Sequence, residues 1–311
     1  MSRIFDALQR SGLERTGVEY PDMLSVAAQV FEAPQEKAAE DPALAEQAAA
    51  EQETAFQDPA IFVPKSEAPV SDKSDSSAEF PSLEVSISAA SRLVVVSEPD
   101  SLAAEKFRFL GVRLRQLRQS RPLKKILVTS TIPEEGKSLV SANLAGVLAK
   151  RKEKVLLIEG DLRRPVLARQ FGLGRLAGLA EWLQSGTQPM SNIYHLTGPG
   201  IWFLPAGAPP ANPLELMQSG RLSTLMSRLA TQFDWIVVDS PPLLPLADTT
   251  VWARLTDGSL LVAREGKTEK AALQRGLEAL KKSDLLGVVL NGCTNSHHVS
   301  YYQRYSPLPT K

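Results

Sequence analysis

Residues 130–145 read STIPEEGKSLVSANLA. A short apolar run, ILVTS at 126–130, leads into this stretch, and a helix-like run leaves it. Gly136 lets the backbone come close to an anion, and a helix start offers free N–H groups at a positive dipole end. Lys137 supplies a cation for the β- and γ-phosphates of a nucleotide, and Ser138 a hydroxyl that can ligate Mg²⁺. The strict phosphate-loop pattern wants glycine five places before Gly136. That place holds Thr131, and two glutamates, Glu134 and Glu135, stand where phosphate would approach. Strand, loop, Gly-Lys-Ser and helix in this order still read as a phosphate loop.

Two other segments support it. Residues 155–163 read VLLIEGDLR, with Glu159 and Asp161 two apart where a buried strand stops. Residues 235–242 read WIVVDSPP, with Asp239 closing an apolar strand and two prolines stiffening the loop beyond it. An acid at such a strand end anchors Mg²⁺ in phosphate-loop enzymes, commonly through water. Ligands of open α/β sheets gather at the carboxyl ends of the strands, so the three segments belong to one site.

Outward from these, strands are expected at 125–129, 155–159, 235–239, 259–263 and 285–290. Helices are expected at 101–119, 137–150, 246–255 and 270–281, the first capped by Asp100 or Ser101. Near-continuous apolar strands alternating with helices define an α/β domain with a mostly parallel central sheet flanked by helices, the phosphate-loop NTPase class. This domain is expected over 92–296. Residues 1–16 read as a short helix. Residues 17–91, rich in Ala, Glu, Pro and Ser, read as a long disordered acidic linker. Residues 297–311 read as a flexible tail.

The 311 residues carry no net charge, but residues 21–100 hold sixteen acids against four bases and residues 101–311 sixteen against twenty-eight. The basic run from Arg108 to Lys125 reads as a solvated helix face or a partner for the acidic segment, rather than a nucleic-acid surface. The lone cysteine, Cys293, excludes an intrachain disulfide, and no apolar run reaches the roughly 18 residues of a membrane span. A cytoplasmic protein is expected. Three of the five tyrosines, Tyr301, Tyr302 and Tyr305, fall in the last eleven residues.

These segments, with LPAGAPPANPLELM at 204–217 and LLGVVLNG at 285–292 between them and the tyrosines, resemble the bacterial tyrosine kinases of capsule and exopolysaccharide synthesis (BY-kinases), whose fold is related to MinD-type ATPases. The resemblance covers residues 92–305. It implies ATP and Mg²⁺ as cofactors, with Lys137, Asp161, Glu159 and Asp239 as catalytic residues. Thr131, Pro133, Glu135, Gly136, Lys137, Ser138, Leu139 and Arg163 would line the nucleotide, and Ser138, Asp161 and Asp239 would hold the metal. Tyr301, Tyr302 and Tyr305 would accept phosphate from a neighbouring subunit. It also implies a ring-like homo-oligomer built through the early helix, and an activator embedded in the membrane that governs polysaccharide chain length and export. That partner would recruit the kinase to the inner face of the membrane.

Three positions depart from the family pattern: Glu159 stands where Asp is usual, Glu134 where Gly is frequent, and Gly111 where Arg is common. Ile132 stands where MinD-type positioning ATPases carry an extra lysine, so the transferring phosphoryl needs another cation, for which Arg163 and Arg164 are candidates. Two other readings stay open: a nucleotide-switched scaffold without kinase activity, and a positioning ATPase.

Overall fold

The computed structural model describes residues 80–85, 87, 92–185, 192–244, 247–281 and 283–293. The expected N-terminal helix, most of the linker and the three tail tyrosines lie outside them.

The chain enters through β1 (Ser82–Leu83), α1 (Val94–Ser97) and α2 (Leu102–Ser120). There follow β2 (Lys125–Ser130), α3 (Lys137–Ala149), β3 (Val155–Glu159), α4 (Leu167–Gln170) and α5 (Leu179–Ser185). A hairpin of β4 (Tyr194–Leu196) and β5 (Ile201–Leu204) leads to α6 (Pro213–Met217) and α7 (Arg221–Gln232). The chain closes with β6 (Trp235–Asp239), α8 (Asp248–Leu255), β7 (Gly258–Arg264), α9 (Lys270–Ala279) and β8 (Leu285–Asn291). The eight strands form one sheet in the order β1-β4-β5-β3-β6-β2-β7-β8, in which only the β4–β5 pairing is antiparallel.

The uninterrupted apolar strands follow from burial on both faces. Ile126, Val128, Val155, Leu157, Trp235 and Val237 pack with Leu114 of α2 and Val140, Leu144 and Leu148 of α3. Their alternate neighbours Leu127, Leu156, Ile158, Ile236 and Val238 pack on the other face with Leu225 and Leu229 of α7 and Trp252 of α8. A strand between two helical layers has no wet face, so it loses the polar alternation of a half-buried strand. Asp239 shares the parity of Trp235 and Val237, which puts it on the α3 face.

The fold starts earlier than residue 92. Leu83, Val85 and Ile87 alternate with polar residues, and β1 pairs with β4, so residues 80–85 and 87 pack with the domain. Phe80 stacks at 5.8 Å on Phe233. The β-branched run at 93–96 forms a helical turn, where Val95 packs against Ala104 and Val147. Ser101 is the cap of α2, accepting from the Ala104 amide at 3.2 Å. Gly111 lies against α3, where a Cβ would fall 2.6 Å from Val147 Cγ1, so the family's arginine position is here a helix-packing contact.

Candidate active site

β2 delivers the phosphate loop at the carboxyl edge of the sheet, next to the ends of β6 and β7. The Ser130 hydroxyl donates to the Ile132 carbonyl at 2.8 Å and tightens the first turn. Thr131, in place of glycine, is fully buried and turned towards α9, where Gly276 makes room for it. A Cβ on Gly276 would stand 2.6 Å from Thr131 Oγ1. The missing glycine of the loop thus has its counterpart in a glycine of the facing helix. The Thr131 side chain therefore serves packing and not nucleotide contact.

Both glutamates are held by the turn after β7. Glu135 is fully buried; its Oε2 accepts from the Ile132 amide at 2.9 Å and its Oε1 accepts from the Thr268 hydroxyl. Glu134 has φ 65°, the left-handed region, which accounts for the glycine frequent there. Its carboxylate pairs with Lys267 at 2.6 Å, and that hydrogen bond and charge hold its pKa below the usual range. Neither carboxylate is left to repel phosphate. Gly136, at φ 95°, caps α3, and Asn291 at the end of β8 donates to the Glu135 carbonyl at 2.9 Å. A Cβ on Gly136 would meet Asn291 Nδ2 at 2.1 Å, so only glycine fits.

Behind the loop, Lys137 Nζ lies 3.2 Å from Asp161 Oδ2 and 3.4 Å from Ser138 Oγ. Burial pulls the Lys137 pKa down, but the charges of Asp239 and Asp161 outweigh it, and the net shift is upward. The ammonium is therefore held protonated. Asp239 is buried; its Oδ1 accepts from Ser141 Oγ at 3.1 Å, while Oδ2 is sealed from solvent without a hydrogen bond of good geometry, the Ser138 hydroxyl being the donor near the carboxylate. Burial raises the Asp239 pKa against the opposing charge of Lys137. A buried carboxylate oxygen without a donor is costly, and a cation relieves it.

That orphan oxygen, the adjacent Ser138 hydroxyl and Asp161 fit a Mg²⁺ site of the phosphate-loop kind, in which one or two protein oxygens hold the ion and phosphates and waters complete it. Among the described residues no group of three or more acids, histidines or cysteines could enclose a metal.

Two expected site residues are engaged elsewhere. Glu159 is buried, and its two oxygens accept from the amides of Leu167 and, at 3.2 Å, Ala206. Burial pushes its pKa up, and the two amides only partly offset this. Its carboxylate reaches the start of α4 and the loop after β5 and braces the main chain there. Arg163, expected at the nucleotide, makes a two-pronged pair with Asp248 at the start of α8: Nε to Oδ2 at 2.6 Å and Nη2 to Oδ1 at 3.1 Å. Arg164 is exposed and its guanidinium has no ion-pair partner among the described residues. Its charge reaches Glu134 at the loop's mouth. Pro133 is on the exposed rim and Leu139 in the first turn of α3.

Sequence reasoning missed Asp248, Ser141, Asn291, Thr268 and Lys267. Ser141 alone had a readable signal, one helical turn after Lys137 and so on the same face.

This is the site of a phosphate-loop α/β protein, in which Lys137 at the start of α3 faces the carboxylates of Asp161 and Asp239. Residues 126–306 match the family described as the CobQ/CobB/MinD/ParA nucleotide binding domain. A tyrosine-protein kinase of Bacillus subtilis, YwqD, is 35% identical over 211 residues, 67% of this chain and 89% of the relative. The putative tyrosine-protein kinase CapB of Staphylococcus aureus is 32% identical over 70% of this chain and 96% of the relative. Among solved structures, the kinase domain of the Escherichia coli tyrosine kinase ETK superposes with a TM-score of 0.62 at 29% identity, over 66% of this chain and 83% of that one. The chain belongs to the bacterial tyrosine-protein kinases, within that nucleotide-binding family.

Proposed function

We propose that the chain is an ATP- and Mg²⁺-dependent protein-tyrosine autokinase whose acceptors are Tyr301, Tyr302 and Tyr305 of a neighbouring copy. The observation that carries this is the Lys137–Asp161–Asp239 cluster at a loop whose two glutamates are drawn aside. Lys137 and the amides at the start of α3 hold the β- and γ-phosphates. Ser138 and Asp239, with Asp161, would hold Mg²⁺, which when bound neutralises charge on the bridging oxygens. The tyrosine oxygen bonds to the γ-phosphorus, the bond from that phosphorus to the β–γ bridging oxygen breaks, and ADP leaves with that oxygen. The phenol proton passes to Asp161, the acid nearest Lys137; a phenol of pKa about 10 needs such a base at neutral pH. Arg164, not Arg163, is the cation free to meet the transferring phosphoryl.

Self-association through α2 has support in its exposed apolar side chains, Phe109 at 71% and Val112 at 43% exposure. Among the described residues no helix is long and apolar enough to cross a membrane. Recruitment by a membrane-embedded partner of polysaccharide polymerisation and export completes the reading. Incubation with Mg-ATP and mapping of phosphotyrosine tests it. Tail phosphotyrosine that disappears in Lys137→Met is expected; its absence even with membrane vesicles of the source cell, or its persistence in Lys137→Met, refutes it.

A second reading, a nucleotide-switched scaffold, is favoured by one observation: Glu159 is consumed by backbone amides. It requires ATP-dependent assembly that is indifferent to replacing the three tail tyrosines by Phe.

A further inference from the structure

The loop that carries Asp161 is not held by its own strand alone. α8 grips it at both ends. Trp252 is fully buried and its Nε1 donates to the Gly160 carbonyl at 3.1 Å. The indole lies so close that a Cβ on Gly160 would stand 2.8 Å from it. Four residues earlier on the same helix face, Asp248 binds Arg163 with both carboxylate oxygens. Between these two grips, Asp161 Oδ1 accepts from the Arg163 and Arg164 amides at 3.3 and 3.0 Å, leaving Oδ2 for Lys137. The same helix reaches the second acid loop, where Thr249 Oγ1 donates to the Pro241 carbonyl at 2.8 Å, two residues past Asp239. Gly160 N donates to the Asp239 carbonyl at 2.7 Å and joins the two loops directly.

We propose that Asp248 and Trp252 are positioning residues for phosphoryl transfer, a clamp on α8 that fixes Asp161 against Lys137 by holding Gly160 and Arg163. The proposal rests on the kinase reading above. Asp248 is the more telling half. It is 3% exposed, and a buried carboxylate is retained where a bidentate guanidinium satisfies it. Packing alone does not require a charge at this position. Arg163 in turn is committed to Asp248 and serves as the anchor of its loop, which leaves its neighbour Arg164 at the mouth of the phosphate loop. A loose clamp leaves the phosphate loop and α3 intact, because none of their hydrogen bonds passes through α8. Lys137, Ser138 and Asp239 keep their places on α3 and β6, so nucleotide affinity changes little, while the acid beside the reacting phosphoryl loses its fixed place. A misplacement of about 1 Å costs on the order of 100-fold in rate.

The test uses the full-length chain with Asp248→Asn, Arg163→Gln and the double variant. Initial rates of tail phosphotyrosine formation are measured against Mg-ATP concentration, with binding of a fluorescent ATP analogue measured alongside. The expected result is a kcat lower by about 10- to 100-fold in each single variant, with KM and analogue affinity within about two-fold of the parent. The double variant falls no further than the worse single, since both break one contact. An unchanged kcat, a loss confined to KM, or multiplying losses in the double variant overturns the clamp. If Asp248→Asn does not fold, Arg163→Gln, on the half-exposed partner, decides it alone. If the parent chain makes no phosphotyrosine, the kinase reading falls first, and the clamp is judged by the same split in Mg-ATP hydrolysis.

Discussion

The tight fit between Thr131 and Gly276 can be broken and restored. Gly276→Ala places a methyl 2.6 Å from Thr131 Oγ1 and 3.3 Å from its Cγ2. Thr131 is fully buried, so its side chain has nowhere to go. Overpacking of this kind costs about 1–3 kcal/mol. Against it stands the gain of about 1 kcal/mol from replacing glycine inside a helix. The net expectation is a loss of about 0–2 kcal/mol. Thr131→Ala removes both clashing atoms and leaves only the Cβ, 3.4 Å away, an ordinary contact. In that background Gly276→Ala should stabilise by the full helical gain of about 1 kcal/mol. Thr131→Ala alone should cost about 1 kcal/mol or less, because the loss of a buried methyl is partly offset by removing a hydroxyl buried without a partner. The coupling between the two sites is therefore about 1–3 kcal/mol. Urea unfolding of the four proteins at constant m-value measures it. A coupling within about 0.5 kcal/mol of zero would show that Thr131 does not lean on α9, and the account of the missing loop glycine would fail.

Three further outcomes are expected. Glu135→Ala strands the Ile132 amide and the Thr268 hydroxyl, costing about 2–4 kcal/mol by denaturant unfolding. Glu135→Gln, which keeps an acceptor for the amide, should cost less than half as much, and equal losses would contradict the bracing role. Arg164→Gln should lower phosphotyrosine formation by about 100-fold with ATP-analogue affinity little changed; an unchanged rate would remove Arg164 from the chemistry. Burial first, then the charge of Glu265, raises the pKa of Cys293. The thiol thus stays protonated to higher pH, and its alkylation rate should inflect above the ordinary value of about 8.5, whereas an inflection below it would contradict the described surroundings.

Much of the fold was legible because of where its strands sit. ILVTS, VLLIE and WIVVD lie between two helical layers and show themselves as unbroken apolar runs. The stretch from 162 to 234 was not read, for the opposite reason. Its strands β4 and β5 are three and four residues long, and α4 and α6 are single turns held by contacts with distant elements. Short pieces of that kind carry no period long enough to recognise. The twelve-residue helix α7, with Leu222, Leu225, Met226 and Leu229 on one face, did carry its signal and was passed over. So did the alternation of Leu83, Val85 and Ile87, masked by the polar, proline-rich segment before it.

At the site, residues fixed by local chain geometry were readable, and residues fixed by long-range partners were not. Lys137 and Ser138 follow from a strand-loop-helix unit that any phosphate loop shares. The fates of Glu159 and Arg163 depend on Ala206 and Asp248, 47 and 85 residues away. The change from aspartate to glutamate at 159 then acquires a physical meaning. The longer side chain reaches two main-chain donors, at Leu167 and Ala206, and a buried carboxylate with such donors gains more there than it would facing a polyanion. With its oxygens turned to those amides, Glu159 is a poorer candidate for the base, and on the kinase reading proposed above the proton of an incoming phenol passes to Asp161. A site with one acid in that role depends strongly on how firmly that acid is held. This is the reason α8, a helix that touches no phosphate, bears on the chemistry.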